Sequence, residues 1–134
     1  MDRQPKILVV DDDPDIVRAI KKVLESRQYV VITAGNGEEG LDKIREEKPD
    51  LLILDLLMPR KDGFAVVKEF KESPRFAKYA GMPILILTSV REDASRRRYE
   101  LETGLQMDVD DYVEKPIPPL DLLHRVEKLL AKKQ

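Results

Sequence analysis

Four short apolar runs in this chain each end in residues that can bind phosphate or a metal ion. Runs at 7–10, 51–54, 84–87 and 112–113 are followed, in turn, by Asp11, Asp12 and Asp13; by Asp55; by Thr88 and Ser89; and by Glu114, Lys115 and Pro116. If the runs are parallel strands of one sheet, their endings meet at one edge, where open α/β sheets bind their ligands. The spacing therefore predicts a functional site at that edge.

The residue types at these endings suit the transfer of a phosphoryl group to a carboxylate. Gathered carboxylates repel one another and bind protons or cations, and Asp11, Asp12 and Asp55 would supply the hard oxygen ligands that suit Mg²⁺. Such a cation neutralises oxygens on both the attacking carboxylate and the phosphoryl group. Asp55 is thus the candidate to become an acyl phosphate. Thr88 offers a hydroxyl, and Lys115 offers a cation, to the phosphoryl oxygens.

The elements that must position these residues follow from the alternation of apolar runs with longer helical patterns, which is typical of βα units in a parallel sheet. The predicted strands are Ile7–Val10, Tyr29–Thr33, Leu51–Leu54, Ile84–Leu87 and Tyr112–Val113. Asp13 is predicted to cap the first helix, with Pro14 at its first position. Asn36 and Glu39 resemble a capping box that begins the second helix.

The later helices are predicted from their apolar stripes. Phe64, Val67 and Phe70 indicate a third helix, residues 73–83 a loop, and residues 90–104 a weakly amphipathic fourth helix. A last helix begins near Pro118 and Pro119, and its core stripe consists of Leu122, Leu123, Val126, Leu129 and Leu130. His124, the only histidine, lies off this stripe and is predicted to be exposed and not to carry a phosphoryl group.

Size and composition favour one compact domain over residues 1–134, with no output domain. With 42% hydrophobic and 37% charged residues, the chain is predicted to be neither disordered nor inserted in a membrane. Its net charge of -2 gives no broad attraction to nucleic acid. The lack of cysteine excludes a disulfide framework, and the short polar start is unlike a signal sequence, so a cytoplasmic location is expected.

Four motifs together resemble one known family. ILVVDDD, ILDLLMPRKDG, ILILTS and DYVEKPI occur in that order, each at the end of a predicted strand. With them, nearly the whole chain resembles a receiver domain, the phospho-accepting module of bacterial two-component signalling. The resemblance implies an α/β fold of the flavodoxin-like kind: a doubly wound, five-stranded parallel sheet in order 2-1-3-4-5 with five helices.

The resemblance also implies the roles of the acidic residues. Asp55 would take the phosphoryl group from the phosphohistidine of a sensor histidine kinase or a histidine phosphotransfer protein. Asp12 would ligate Mg²⁺ directly, Asp11 would act mainly through water, and the backbone carbonyl of Leu57 would complete the protein's share of ligands. Such a domain is not an enzyme beyond its own phosphotransfer and slow self-dephosphorylation.

A switch is implied at the other two strand ends. Thr88 and Lys115 would take the switch and catalytic positions, and Tyr112 matches an aromatic that family members swing inward when phosphorylated. The Lys115–Pro116 bond would be cis, as X-Pro bonds permit. The movement would reach a downstream protein target through the face formed by the fourth helix, the fifth strand and the fifth helix.

The loop after the acceptor carries two further expectations. Met58, Pro59 and Gly63 match the family's loop, and Gly63 is expected to adopt backbone angles that a side chain would block. Leu57 and Val90, both apolar and near the acceptor by analogy, should exclude or misplace the hydrolytic water. Dephosphorylation is therefore expected to be slow.

The chain departs from the family between Thr88 and Tyr112. The stretch YELETGLQMDVDDY, within residues 99–112, is longer than expected by about one helical turn. The fourth helix is therefore predicted to be extended or followed by an unusual loop, on the face that family members use for partner contact.

A dinucleotide-binding fingerprint is a competing interpretation. Gly35, Gly37 and Gly40 have the G-x-G-x-x-G spacing, after a strand and before a helix, with Asp55 about twenty residues further on. This interpretation gives no role to the other residues at the strand ends and leaves no room for a substrate domain, and a capping box explains the same segment.

Two further alternatives use the same residues. An aspartate-based phosphohydrolase usually carries a second aspartate two residues after its nucleophile, as a general acid and base, but Leu57 occupies that position. A receiver that is never phosphorylated would act as a constitutive binding module. The intact residue set argues against that reading, and an assay must decide.

Overall fold

The computed structural model describes residues 4–58, 60–89 and 109–133. Five strands within these ranges form one sheet, and they are β1 (Lys6–Val10), β2 (Val30–Ala34), β3 (Leu51–Asp55), β4 (Ile84–Thr88) and β5 (Asp111–Glu114). Their order is β2-β1-β3-β4-β5, and every neighbouring pair is parallel. The predicted sheet is confirmed, and the carboxyl ends of all five strands lie at one edge.

Helices begin where the capping residues predict. The described helices are α1 (Pro14–Glu25), α2 (Gly37–Glu47), α3 (Gly63–Glu72) and a carboxyl-terminal helix (Pro119–Lys133). The side chain of Asp13 accepts a hydrogen bond from the amide of Asp15 at 2.9 Å, which satisfies one of the amide groups left free at a helix start. Asn36 accepts from the amide of Glu39, which confirms it as the cap of α2, while Glu39 Oε1 accepts from the amide of Gly35, one residue before the cap, and so closes a variant of the predicted capping box.

Residues 73–83 are not wholly a loop, contrary to the prediction. Pro74–Tyr79 forms a 3-10 helix that buries Phe76 against Phe70, with ring centroids 5.9 Å apart. About two turns of 3-10 helix that bury a single large side chain leave no repeating apolar pattern in the sequence, and this is why the element was missed. The predicted fourth helix, residues 90–104, lies outside the described residues, as do residues 105–108 of the lengthened segment.

Alternate residues of the central strands pack into two separate cores. Leu52 and Leu54 of β3 face the core beneath α2 and α3, whereas Leu51 and Ile53 face the core beneath α1 and the carboxyl-terminal helix. Every residue of β3 and β4 is buried. Truncating one of these leucines to alanine costs about 2–5 kcal/mol in such a setting, so the strands form a rigid base for the residues at their ends. No described helix has the length and apolar character to cross a bilayer.

Candidate functional site

Three carboxylates meet at the carboxyl edge of the sheet. Asp11 directly follows β1, Asp55 ends β3, and the two strands are neighbours with Val10 opposite Leu54. Asp11, Asp12 and Asp55 each offer a carboxylate oxygen, and these oxygens lie within 4.8 Å of one another. Asp11 and Asp55 are only 2% and 1% exposed, whereas Asp12 is exposed. Like charges so close and so little solvated favour a cation among them.

Lys115 joins the carboxylates from the end of β5. Its Nζ lies 3.1 Å from Asp55 Oδ1 and 3.6 Å from Asp11 Oδ2, and the lysine side chain is 17% exposed. The amide of Lys115 also donates to the carbonyl of Thr88 at 2.6 Å, so the ends of β4 and β5 are linked through the backbone. The predicted cis bond between Lys115 and Pro116 is confirmed.

The two oxygens of Asp11 are in different situations. Oδ1 accepts a hydrogen bond from the amide of Asp13 at 3.0 Å. Oδ2 is buried and has no hydrogen-bond partner among the residues described. Burial raises the pKa of Asp11 to about 6, the amide of Asp13 lowers it, and the charge of Asp55 raises it. A buried oxygen with no hydrogen bond, beside other hard oxygen donors, fits a divalent cation.

Replacing Asp11 with asparagine should stabilise the metal-free protein. The pKa of Asp11 is about 6 in the fold against an ordinary value of 3.8, so the folded state holds the proton more tightly than the unfolded state. Stability therefore falls as pH rises from about 3.8 to about 6 and stays reduced above that. Above about pH 6, Asp11→Asn should raise the free energy of unfolding by up to about 3 kcal/mol.

Denaturant unfolding in chelator, at several pH values, measures this difference. The gain should shrink as pH falls toward 3.8, because wild-type Asp11 is then protonated in both states. Added Mg²⁺ should also reduce the difference in free energy of unfolding between the variant and wild type, because a ligand that binds only the folded wild type stabilises it. A variant no more stable than wild type above pH 6 would contradict this account of the carboxylate cluster.

The other predicted residues lie on the same edge or close to it. Thr88 is buried at the end of β4, directly after Leu87, which is the register partner of Asp55. Leu57 is half-buried, two residues beyond Asp55. Tyr112 is half-buried on β5 and packs against the core beneath α2 and α3. The switch and ligand roles of these three residues remain predictions, while Val90 lies outside the described residues.

Asp13 and His124 have the structural positions that the sequence predicts. Asp13 caps α1 and is not one of the clustered carboxylates. His124 is exposed on the carboxyl-terminal helix. Neither side chain is therefore part of the site, although the backbone amide of Asp13 binds Asp11.

Two glycines near the site are required for space. A Cβ on Gly63 would lie 2.5 Å from the carbonyl oxygen of Asp55, and a Cβ on Gly37 would lie 2.0 Å from the carbonyl oxygen of Lys61. Gly63 does not lie in the left-handed region, so the expectation that it adopts angles closed to side chains was wrong: the close approach of β3 excludes a side chain there. The sequence did not predict the contact between Gly37 and Lys61, although Gly37 belongs to the GNGEEG motif.

That motif is explained by packing and capping. The side chains of Asn36 and Glu39 bind amide groups at the start of α2, which a dinucleotide site would offer to a pyrophosphate. A Cβ on Gly40 would lie 3.0 Å from a methyl group of Val10, so this glycine lets α2 approach β1. The helix also follows β2, an edge strand of the sheet. The structure thus gives the dinucleotide interpretation no support.

Comparison with known proteins gives a consistent result. The family model described as the response regulator receiver domain matches residues 7–127. The alkaline phosphatase synthesis transcriptional regulatory protein PhoP of Bacillus subtilis is 39% identical over 96% of this chain and 50% of its own length. The probable transcriptional regulator ycf27 of Porphyra purpurea is 40% identical over 97% of this chain and 49% of its own length. The chain therefore spans about half the length of these curated relatives.

Solved structures share the same fold. A CheY-like response regulator receiver domain protein from Methanospirillum hungatei is 30% identical to this chain and superimposes with a TM-score of 0.75. The match covers 98% of this chain and 97% of that one. The order of strands and the edge that carries the carboxylates are thus those of a fold already seen in crystals.

Proposed function

The chain belongs to the response regulator receiver domain family, and from this premise we propose that it is a phospho-accepting switch of a two-component or phosphorelay system. Receiver domains are signalling modules that interact with histidine kinases and downstream effectors. Asp55 receives the phosphoryl group in this proposal. The observation that carries it is the position of Asp55 Oδ1, 3.1 Å from Lys115 Nζ and within the cluster formed with Asp11 and Asp12.

The transfer step is a displacement at phosphorus. An oxygen of the Asp55 carboxylate attacks the phosphorus of the donor's phosphohistidine, a P–O bond forms and the P–N bond breaks. The imidazole leaves with that electron pair and takes up a proton from water. Lys115 remains paired with the acceptor and offers its charge to the phosphoryl oxygens, over which the negative charge of the transferred group is spread.

A divalent cation fits the acidic residues, and we assign Mg²⁺ to them. Asp11, Asp12 and Asp55 would hold it, with the backbone carbonyl of Leu57 as a further ligand. When bound, it would neutralise oxygens on the acceptor and on the phosphoryl group. The carboxylate of Asp11 is itself held in position, because its Oδ1 accepts a hydrogen bond from the amide of Asp13. Its Oδ2, which has no hydrogen bond among the described residues, would face the cation.

The same residues convert the added charge into a change of shape. The phosphoryl group draws the hydroxyl of Thr88 and the ammonium of Lys115 toward it, and Tyr112 moves inward as the hydroxyl leaves its resting place. These strand ends are already joined by the backbone hydrogen bond from Lys115 to Thr88. The arrangements with and without the phosphoryl group form a switch if a partner binds one of them more tightly than the other.

The donor in this proposal is a sensor histidine kinase or a histidine phosphotransfer protein, and the output is a downstream protein target. The target would bind the face that includes β5 and the carboxyl-terminal helix, where Arg125 ties the helix to Asp111 of β5 at 2.8 Å. Residues 1–134 would act as a single receiver domain. A cytoplasmic setting belongs to the proposal, since the bacterial relative PhoP is named as a regulator of transcription.

Incubation with acetyl phosphate and Mg²⁺ tests this function. The expected product is a protein with one added phosphoryl group by intact mass, and hydroxylamine should remove it, because acyl phosphates react with hydroxylamine whereas serine and threonine phosphoesters do not. Chelating the metal should prevent the gain. A protein that gains nothing at any Mg²⁺ concentration would instead support the constitutive binding module.

A further inference from the structure

Two consecutive residues after the acceptor have a backbone conformation that side chains disfavour. Arg60 has φ 52° and Lys61 has φ 78°, both in the left-handed region. Neither is glycine, asparagine or aspartate, the residues that tolerate this region best. Such conformations persist where the surroundings hold them in place, so the contacts around Lys61 are informative.

The first residue of α2 holds this segment from one side. Gly37 is buried, and a Cβ on it would lie 2.0 Å from the carbonyl oxygen and 2.9 Å from the carbonyl carbon of Lys61. Real Cβ atoms essentially never come within 3.0 Å of another atom in this way. The Lys61 peptide is thus seated directly on the start of α2, and only glycine permits the contact.

Ion pairs fix the side chains of the same two residues. Lys61 Nζ pairs with Glu69 of α3, and both side chains are half-buried. Arg60 pairs with Glu38 of α2 at 3.2 Å, but both partners are largely exposed, and exposed pairs contribute little. The Lys61–Glu69 ion pair is therefore expected to stabilise the loop more than the Arg60–Glu38 pair does.

The other end of the loop is closed onto β3. The amide of Gly63 donates to the carbonyl of Leu56 at 2.7 Å, and Gly63 itself packs against the carbonyl of Asp55. Leu57 lies between this closure and the seat on α2. The contacts of Lys61 and Gly63 thus fix the part of the loop that follows Leu57.

We propose that Gly37 and Glu69 are positioning residues for phosphorylation, because they seat the Lys61 backbone so that the loop presents the Leu57 carbonyl beside Asp55. The inference rests on the proposed function for its role in phosphotransfer. It assigns to the start of α2 a part in the acceptor site, although no residue of α2 belongs to the carboxylate cluster.

Gly37→Ala tests the proposal. The added methyl group would lie 2.0 Å from the Lys61 carbonyl oxygen and 2.7 Å from a methyl group of Val66. The Lys61 carbonyl must therefore move by at least about 1 Å, because real Cβ atoms essentially never come within 3.0 Å of another atom. Displacements of about this size impair metal and transfer sites. The Kd for Mg²⁺, measured by calorimetry on the unphosphorylated protein, should rise roughly tenfold or more. The rate of phosphorylation by acetyl phosphate at saturating Mg²⁺ should fall as well.

Three further variants separate positioning from loss of stability. Gly81→Ala adds the same methyl group where nothing lies within 4 Å, and it should bind Mg²⁺ as wild type does. Leu129→Ala weakens the other core, beneath α1 and the carboxyl-terminal helix, and should lower the melting temperature without changing the Kd. Glu69→Gln keeps the side-chain shape without the charge and should raise the Kd, though by less than Gly37→Ala does, so it decides the matter if the Gly37 variant does not fold.

The outcomes divide cleanly. A Kd and a phosphorylation rate equal to those of wild type in Gly37→Ala would overturn the proposal, and Glu69→Gln would serve in its place if Gly37→Ala did not fold. An equal loss of affinity in Leu129→Ala would also overturn it. If wild type itself gains no phosphoryl group, the proposed function fails, and the Mg²⁺ titrations still judge the positioning of the loop independently.

Discussion

Asp55→Asn is expected to gain no phosphoryl group from acetyl phosphate and Mg²⁺ under conditions in which the wild-type protein gains one. An amide nitrogen or oxygen is a far weaker nucleophile than a carboxylate, and loss of a nucleophile commonly costs roughly 10⁴-fold or more in rate. The variant should nevertheless fold, because asparagine has nearly the same shape and removes one of the like charges gathered with Asp11 and Asp12.

A matched control is available on α2. Asp42 is an exposed aspartate outside the carboxylate cluster, so Asp42→Asn removes one carboxylate without touching the site and should be phosphorylated as wild type is. Intact mass after a fixed time compares the three proteins. A phosphoryl group on the Asp55 variant that resists hydroxylamine would show modification elsewhere, and one that hydroxylamine removes would show a different acceptor carboxylate.

Lys115→Met is expected to have the next largest effect, on stability and rate together. The lysine is the cation closest to the buried carboxylates of Asp55 and Asp11 among the described ion pairs. Removing one partner of a buried pair leaves the other charges uncompensated, which costs 3–5 kcal/mol in fully buried cases. Since Lys115 is 17% exposed, a loss of about 2–3 kcal/mol in the metal-free protein is expected.

Mg²⁺ should restore much of that stability, because a bound cation relieves the same repulsion, but it should not restore the rate. Removing one charge-stabilising donor typically slows a reaction by roughly 100-fold, and time-resolved mass spectrometry can measure this. Lys132→Met is the control. The side chain of Lys132 is 67% exposed and its Nζ lies as far as 3.9 Å from Asp110, so this ion pair is weak and its loss should change neither stability nor rate. Equal effects in the two variants would show that Lys115 acts only as surface charge.

The sequence predicted the sheet and the main contacts of the site for one physical reason. Parallel strands bring their carboxyl ends to one edge, so a polar residue directly after each apolar run must lie near the others. By this rule alone, Asp11, Asp55, Thr88 and Lys115 are predicted to lie on one edge of the sheet. The helix starts at Asp13 and Asn36 were equally local, since a capping side chain binds amides only two or three residues away.

What the sequence did not predict depends on contacts between distant segments. The contact between Lys61 and Gly37 joins the loop before α3 to the start of α2, and no periodicity in the sequence indicates such a contact. The raised pKa of Asp11 follows from burial, which the residue type alone does not reveal. The 3-10 helix around Phe76 was missed because about two turns with one buried side chain form no apolar stripe.

The two-sided burial of β3 and β4 restricts how this sequence can diverge over generations. A one-residue insertion or deletion within either strand would exchange the residues that feed the two cores, because Leu51 and Ile53 serve one core while Leu52 and Leu54 serve the other. In β3 such a change would also move Asp55 from its place at the end of the strand, and in β4 it would move Thr88. Changes of length are therefore expected to accumulate in connections such as residues 73–83, at the opposite rim of the sheet, where related proteins can acquire new features without disturbing the acceptor.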